Sequence, residues 1–97
     1  MPTQLRIYTI KHGALDQWLS EWEQQIKPLR LRLGFEVLGA WTIPETNQFV
    51  WLLHYDGPES WGIADNAFHQ SDERRNMNPD PARNIAQIEQ YFLQPVG

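Results

Sequence analysis

Ile85-Ala86-Gln87-Ile88-Glu89-Gln90-Tyr91-Phe92-Leu93 is the stretch on which the fold turns, and its own pattern reads two ways. Ile85, Ile88 and Phe92 fall near the three-to-four spacing of a helical face. Ala86, Ile88 and Phe92 on one side, with Tyr91 and Leu93 on the other, suit a strand equally well. The elements before it must decide.

Leu5 to Lys11 reads as a strand in which Leu5, Ile7 and Thr9 alternate with Arg6, Tyr8 and Ile10. After Gly13, Ala14 to Leu33 reads as a helix, with Leu15, Trp18, Leu19, Trp22, Ile26, Leu29 and Leu33 spaced along one face. Asp16 in its first turn and Arg30 and Arg32 in its last suit the helix dipole, and Gly34 is placed to end it. Pro28 lacks an N–H, so a kink or break is expected near Ile26–Lys27. Phe35 to Ile43 and Phe49 to Tyr55 are two more strands, joined by the short polar Pro44-Glu45-Thr46-Asn47-Gln48 into an antiparallel hairpin. Asp56-Gly57-Pro58-Glu59 looks like a helix start, and Trp61, Ala64 and Phe68 give that helix an apolar side. From Gln70 to Arg83 the chain is polar and reads as an ordered loop with a short helical turn.

The order is therefore β-α-β-β-α followed by Ile85–Leu93. A final strand completes the split β-α-β pattern, whereas a third helix leaves the first strand short of a neighbour. The expected fold is α+β and ferredoxin-like, a four-stranded antiparallel sheet with helices on one face. Residues 1–97 form one domain.

A sheet with one wet face alternates apolar and polar residues, and these strands do not. Phe49, Trp51, Leu53 and Tyr55 point one way in the third strand while Val50, Leu52 and His54 point the other. In the second, Phe35, Val37, Trp41 and Ile43 oppose Leu38 and Ala40. Two helices cover one face only, so the other is expected to meet a second copy of the chain, two sheets facing each other as a dimeric α/β barrel.

Composition narrows the partners. With 8 Lys+Arg against 12 Asp+Glu, the net charge of −4 leaves no basic stripe to track phosphates, so nucleic acid is not expected. The absence of cysteine excludes disulfides and thiol catalysis and suits a reducing compartment. Met1-Pro2-Thr3-Gln4-Leu5-Arg6 has no apolar signal core, and no apolar run approaches the ~20 residues that cross a bilayer. A soluble, cytoplasmic protein is expected, with no membrane partner.

Several short motifs carry a family likeness. Leu5-Arg6-Ile7-Tyr8-Thr9-Ile10-Lys11 followed by Gly13 resembles the opening strand of NIPSNAP-type domains. So do Ile26-Lys27-Pro28-Leu29 before Gly34-Phe35, and Val37-Leu38-Gly39-Ala40-Trp41. Asn47-Gln48-Phe49-Val50-Trp51-Leu52, Arg74 and Asp80-Pro81-Ala82-Arg83 extend the likeness over nearly the whole chain. The resemblance implies a dimeric α/β-barrel domain, in a superfamily that also includes cofactor-free antibiotic-biosynthesis monooxygenases and haem enzymes. It implies no particular reaction.

The candidate site residues are aromatic. Trp18 and Trp22 lie four apart on the inner helix face and Trp51 on the central strand. With Trp61, Trp41 and Phe68 they are placed to bound a pocket for a flat, apolar molecule between sheet and helices, or to fill that space themselves. His54, on the central strand, His69, near the end of the second helix, and Tyr8 are the candidate catalytic or polarising groups. For each there is a plainer role: a hydrogen-bonded core histidine, a helix C-terminal cation, and a phenol bonded to its surroundings. Arg6, on an otherwise buried strand, must be paired or interfacial. Asp80-Pro81-Ala82-Arg83 is placed to pin the loop. No histidine pair has metal-ligand spacing, so neither a metal nor any other cofactor is expected; a haem would need an axial histidine, for which His54 is the best placed. Three readings follow: a homodimer binding a small hydrophobic or aromatic molecule, a non-catalytic dimerisation or protein-interaction module, and a cofactor-free monooxygenase.

Overall fold

A computed structural model describes every residue from Met1 to Gly97. The chain runs β1 (Thr3–Ile10), α1 (Leu15–Glu21), a π-helical turn (Trp22–Ile26), α2 (Lys27–Arg32), β2 (Phe35–Ile43), β3 (Gln48–Tyr55), α3 (Trp61–Gln70), α4 (Asp72–Arg75) and β4 (Ile85–Leu93). The strands form one antiparallel sheet in the order β2-β3-β1-β4. Ile85–Leu93 is thus a strand, lying beside β1 with Leu5 opposite Tyr91 and Ile7 opposite Glu89. This is the ferredoxin-like arrangement, a slab of 38 × 37 × 18 Å with helices packed on one face of the sheet.

Strand alternation builds the core. Tyr8 and Ile10 of β1 and Phe49, Trp51, Leu53 and Tyr55 of β3 are buried, and meet Trp18, Trp22, Ile26, Leu29, Ala64 and Phe68 from the helices. Their opposites, Leu5, Ile7, Val50, Leu52 and His54, lie half-covered on the other face.

Two local expectations are corrected, and a third is met in a particular form. The second helix begins at Trp61 rather than at Asp56–Glu59, because the Ser60 side chain caps it by accepting a hydrogen bond from the Ile63 N–H. The interruption expected near Ile26–Lys27 is present: the α-helix gives way to the π-helical turn that ends at Ile26, and α2 starts at Lys27. The missing N–H of Pro28 falls in the first turn of α2, where it costs little, and the strain is taken up just upstream: Lys27 N–H bonds Trp22 O, five residues back. Finally, β2 does not alternate as its sequence suggests. The register slips between Val37 and Gly39, leaving Leu38 as the extra residue, so that Ala40 faces the helices with Trp51 while Trp41 pairs with Val50 on the open face. Trp41 is 54% exposed and lies across Gly39, where a Cβ would collide with its ring.

The polar segment is ordered as expected, with the short helix α4 and a 3-10 turn at Pro81–Asn84. Both Arg83 terminal nitrogens donate to the Glu21 carboxylate at 2.8 Å, and Asn84 Nδ2 adds a third bond at 3.0 Å. That clamp fastens the start of β4 to the end of α1.

Candidate functional site

Between β1 and the helices the sheet contributes polar side chains where a core would be expected. Alternation turns Gln4, Arg6 and Tyr8 inward, and all three are buried. Arg6 is supported on every side: its Nε donates to Gln4 Oε1 at 2.6 Å, Nη1 to Tyr8 Oη at 3.2 Å and Nη2 to Asp65 Oδ1 at 3.4 Å. Its guanidinium also lies 5.7 Å from the centre of the Trp51 ring.

Arg30 enters from α2. It is 1% exposed, and its guanidinium carbon stands 3.6 Å from the Phe68 ring centre and 4.7 Å from that of Phe35, a cation held between two aromatic faces. Nη1 donates to the same Asp65 Oδ1 at 2.7 Å. Burial and repulsion from Arg6, opposed by Asp65, lower its pKa to about 10, so it stays charged at neutral pH. Burial pushes the Asp65 carboxyl up, but His69, Arg30 and Arg6 together hold it well below the usual carboxylate range. The His69 ring nitrogen is 3.6 Å from Asp65 Oδ2, longer than a hydrogen bond, so the arginines are the firmer cause.

These charges sit against a cavity of about 130 Å³. Trp18, Trp51, Ile26, Phe68 and Ile88 form its apolar wall, and Arg6, Arg30, Tyr8, His69 and Arg74 its polar one. Tyr8 and Trp18 meet edge to face at 5.5 Å, and Trp22 and Trp51 likewise at 5.5 Å. The Nε1 atoms of Trp18, Trp22 and Trp51 and the Nε of Arg30 are buried without a hydrogen-bond partner. All four are donors.

Of the residues singled out by sequence, the structure therefore gathers Tyr8, Trp18, Trp51, Phe68 and His69 around one space. Trp22 is buried behind Trp51, against Phe49 at 4.9 Å. Trp61 lies away from the cavity, between Phe35 and Phe92. His54 is on the opposite face of the sheet, its Nδ1 2.6 Å from Thr3 Oγ1 and its Nε2 2.8 Å from Asp56. Sequence reasoning missed Asp65 and treated Arg30 only as a helix-terminal cation. A signal was present. Asp65 falls within the arc defined by Trp61, Ala64 and Phe68, and Arg30 lies one turn after Ile26, so each is a charge on an inward face that must find an opposite charge.

No helix is long and apolar enough to cross a membrane. No curated protein matches the chain. Among solved structures, an uncharacterised NIPSNAP domain protein from Burkholderia xenovorans superposes with a TM-score of 0.85 at 18% identity, covering 99% of this chain and 95% of its own. A NIPSNAP family protein from Agrobacterium tumefaciens gives 0.86 at 14%, covering 98% and 92%. An antibiotic biosynthesis monooxygenase gives 0.69 at 14%, covering all of both chains. At these identities the superpositions speak to the fold alone, but the NIPSNAP family pattern itself matches residues 3–97, and on that ground the chain belongs to the NIPSNAP family.

Proposed function

We propose that this NIPSNAP domain works as a homodimer that binds a small hydrophobic or aromatic molecule between sheet and helices. The observation that carries the reading is the cavity walled by Trp18, Trp51, Ile26 and Phe68, in a protein small enough that an interior this rich in large side chains would ordinarily close on itself. Its volume is close to that of engineered apolar cavities, about 150 Å³, that take up benzene. Support for the dimer comes from the open sheet face, where Leu5, Ile7, Val50, Leu52, Trp41 and Tyr91 stand together with no element of the same chain over them. Absence of cysteine suits a cytoplasmic setting.

The test is calorimetric titration of the purified protein with single-ring aromatics. Saturable binding that weakens when Ile88 is replaced by a tryptophan that fills the cavity supports the reading. No heat with any such compound, or binding indifferent to Ile88→Trp, overturns it and favours the protein-interaction module.

A further inference from the structure

We propose that the molecule taken up in this cavity is a small aromatic or apolar carboxylate, its anionic group held by Arg6 and Arg30 and its body lying against Trp18, Trp51 and Phe68. This rests on the binding reading above and adds the charge of the ligand.

The charge is demanded by the residues themselves. Two buried guanidiniums, on Arg6 and Arg30, reach for one oxygen of one carboxylate, Asp65 Oδ1. One positive charge is left without a counter-charge in the interior, which is costly unless something supplies one. No other acid of the chain does so. Arg74, which also lines the cavity, is itself engaged by Asp80 at 3.0 Å, and that carboxylate is therefore spent. His69 adds no negative charge in either protonation state.

Unpartnered donors on the same residues leave the interior without surplus acceptors for the two cations. Of the residues that line the cavity, Arg30, Trp18 and Trp51 carry buried donors without a partner, the Arg30 Nε and the two indole Nε1 atoms. A structural core ordinarily satisfies such groups. An occupant carrying a negative charge answers the charge deficit, and a planar carboxylate matches the fork of a guanidinium. The remaining wall is aromatic and aliphatic, and the volume admits about one ring, so the rest of the ligand is apolar and compact.

Benzoate and benzyl alcohol, alike in size and different in charge, decide the matter in calorimetric titration of the wild-type protein. The expected result is that benzoate binds at least tenfold more tightly, and that Arg30→Met, checked for folding by circular dichroism, lowers the preference to near unity while benzyl alcohol binding persists. Equal affinity of the two probes for the wild type, or a preference that survives Arg30→Met, overturns the carboxylate assignment while leaving the apolar pocket standing. Failure of both probes to bind at millimolar concentration overturns the assignment and the binding reading together. Should Arg30→Met not fold, the wild-type comparison stands alone, repeated as the rise in melting temperature each probe produces.

Discussion

Arg30 Nη1 on α2 and Asp65 Oδ1 on α3 lie 2.7 Å apart, and this bond joins the two helices across the layer that covers the sheet. Arg6 reaches the same oxygen from β1, so a single carboxylate ties three elements together. Removing it leaves two buried cations facing each other. Asp65→Asn should cost roughly 3 kcal/mol, at the lower end of the range for breaking a buried pair because the Asp65 side chain keeps 24% of its exposure. Urea unfolding measures it. The double variant Asp65→Asn, Arg30→Met should recover part of that loss, since it removes one of the two charges left stranded. A double variant no more stable than the single one would show that the loss comes from packing instead.

The same carboxylate sets an acid limit. Its folded pKa lies below the unfolded value of about 3.9, so its contribution is fully present above that value and is lost as pH falls toward the folded one. Glu21, lowered by its hydrogen bond from Arg83 against the opposing effect of burial, behaves in the same way. The melting temperature should therefore fall steeply below about pH 4. In Asp65→Asn that fall should be shallower but not absent, because Glu21 still titrates. An unchanged acid slope in the variant would remove Asp65 as a cause.

The fold was legible in the sequence and the charged heart of the site only in part, and the difference is physical. Element order and two-faced strands are properties of periodicity, which is why β3 faces as its pattern predicts and Ile85–Leu93 resolves as a strand once its neighbours are counted. A bulge has no such periodic signal. Leu38 looks like any strand residue, yet it shifts Trp41 to the far side of the sheet. Pro28 announces a disturbance without saying which helical turn will absorb it. Asp65 and Arg30 are 35 residues apart, and each alone reads as a surface charge. Only their common place on inward arcs suggests that they meet, and nothing local says that Arg6 joins them.

Unpartnered indoles predict an uneven cost of substitution. Trp22 is buried against Phe49 and Trp51, but its Nε1 bonds nothing. Trp22→Phe keeps most of the ring packing and removes a buried unsatisfied donor, so its cost should stay below about 2 kcal/mol. Trp22→Ala discards the ring as well and should cost about 3–5 kcal/mol. Chemical denaturation of the two variants gives the comparison. Equal losses would show that the indole N–H is satisfied in solution, by water.

Leu52 lies on the central strand β3, on the open face, opposite Leu5 on one side and Gly39 on the other. If two sheets meet there, this side chain is near the middle of the contact. An aspartate at that place would carry an unpaired charge into an apolar interface, a cost that association at micromolar concentration does not survive. Wild-type protein should sediment at about twice the 11.4 kDa of the chain, and Leu52→Asp at the chain mass with its circular dichroism retained. Gln24→Asp, an equal change on an exposed helix position, should leave the dimer intact. Wild-type protein that sediments as a monomer at that concentration would mean that water alone covers this face, and the two-sheet contact would have to be abandoned.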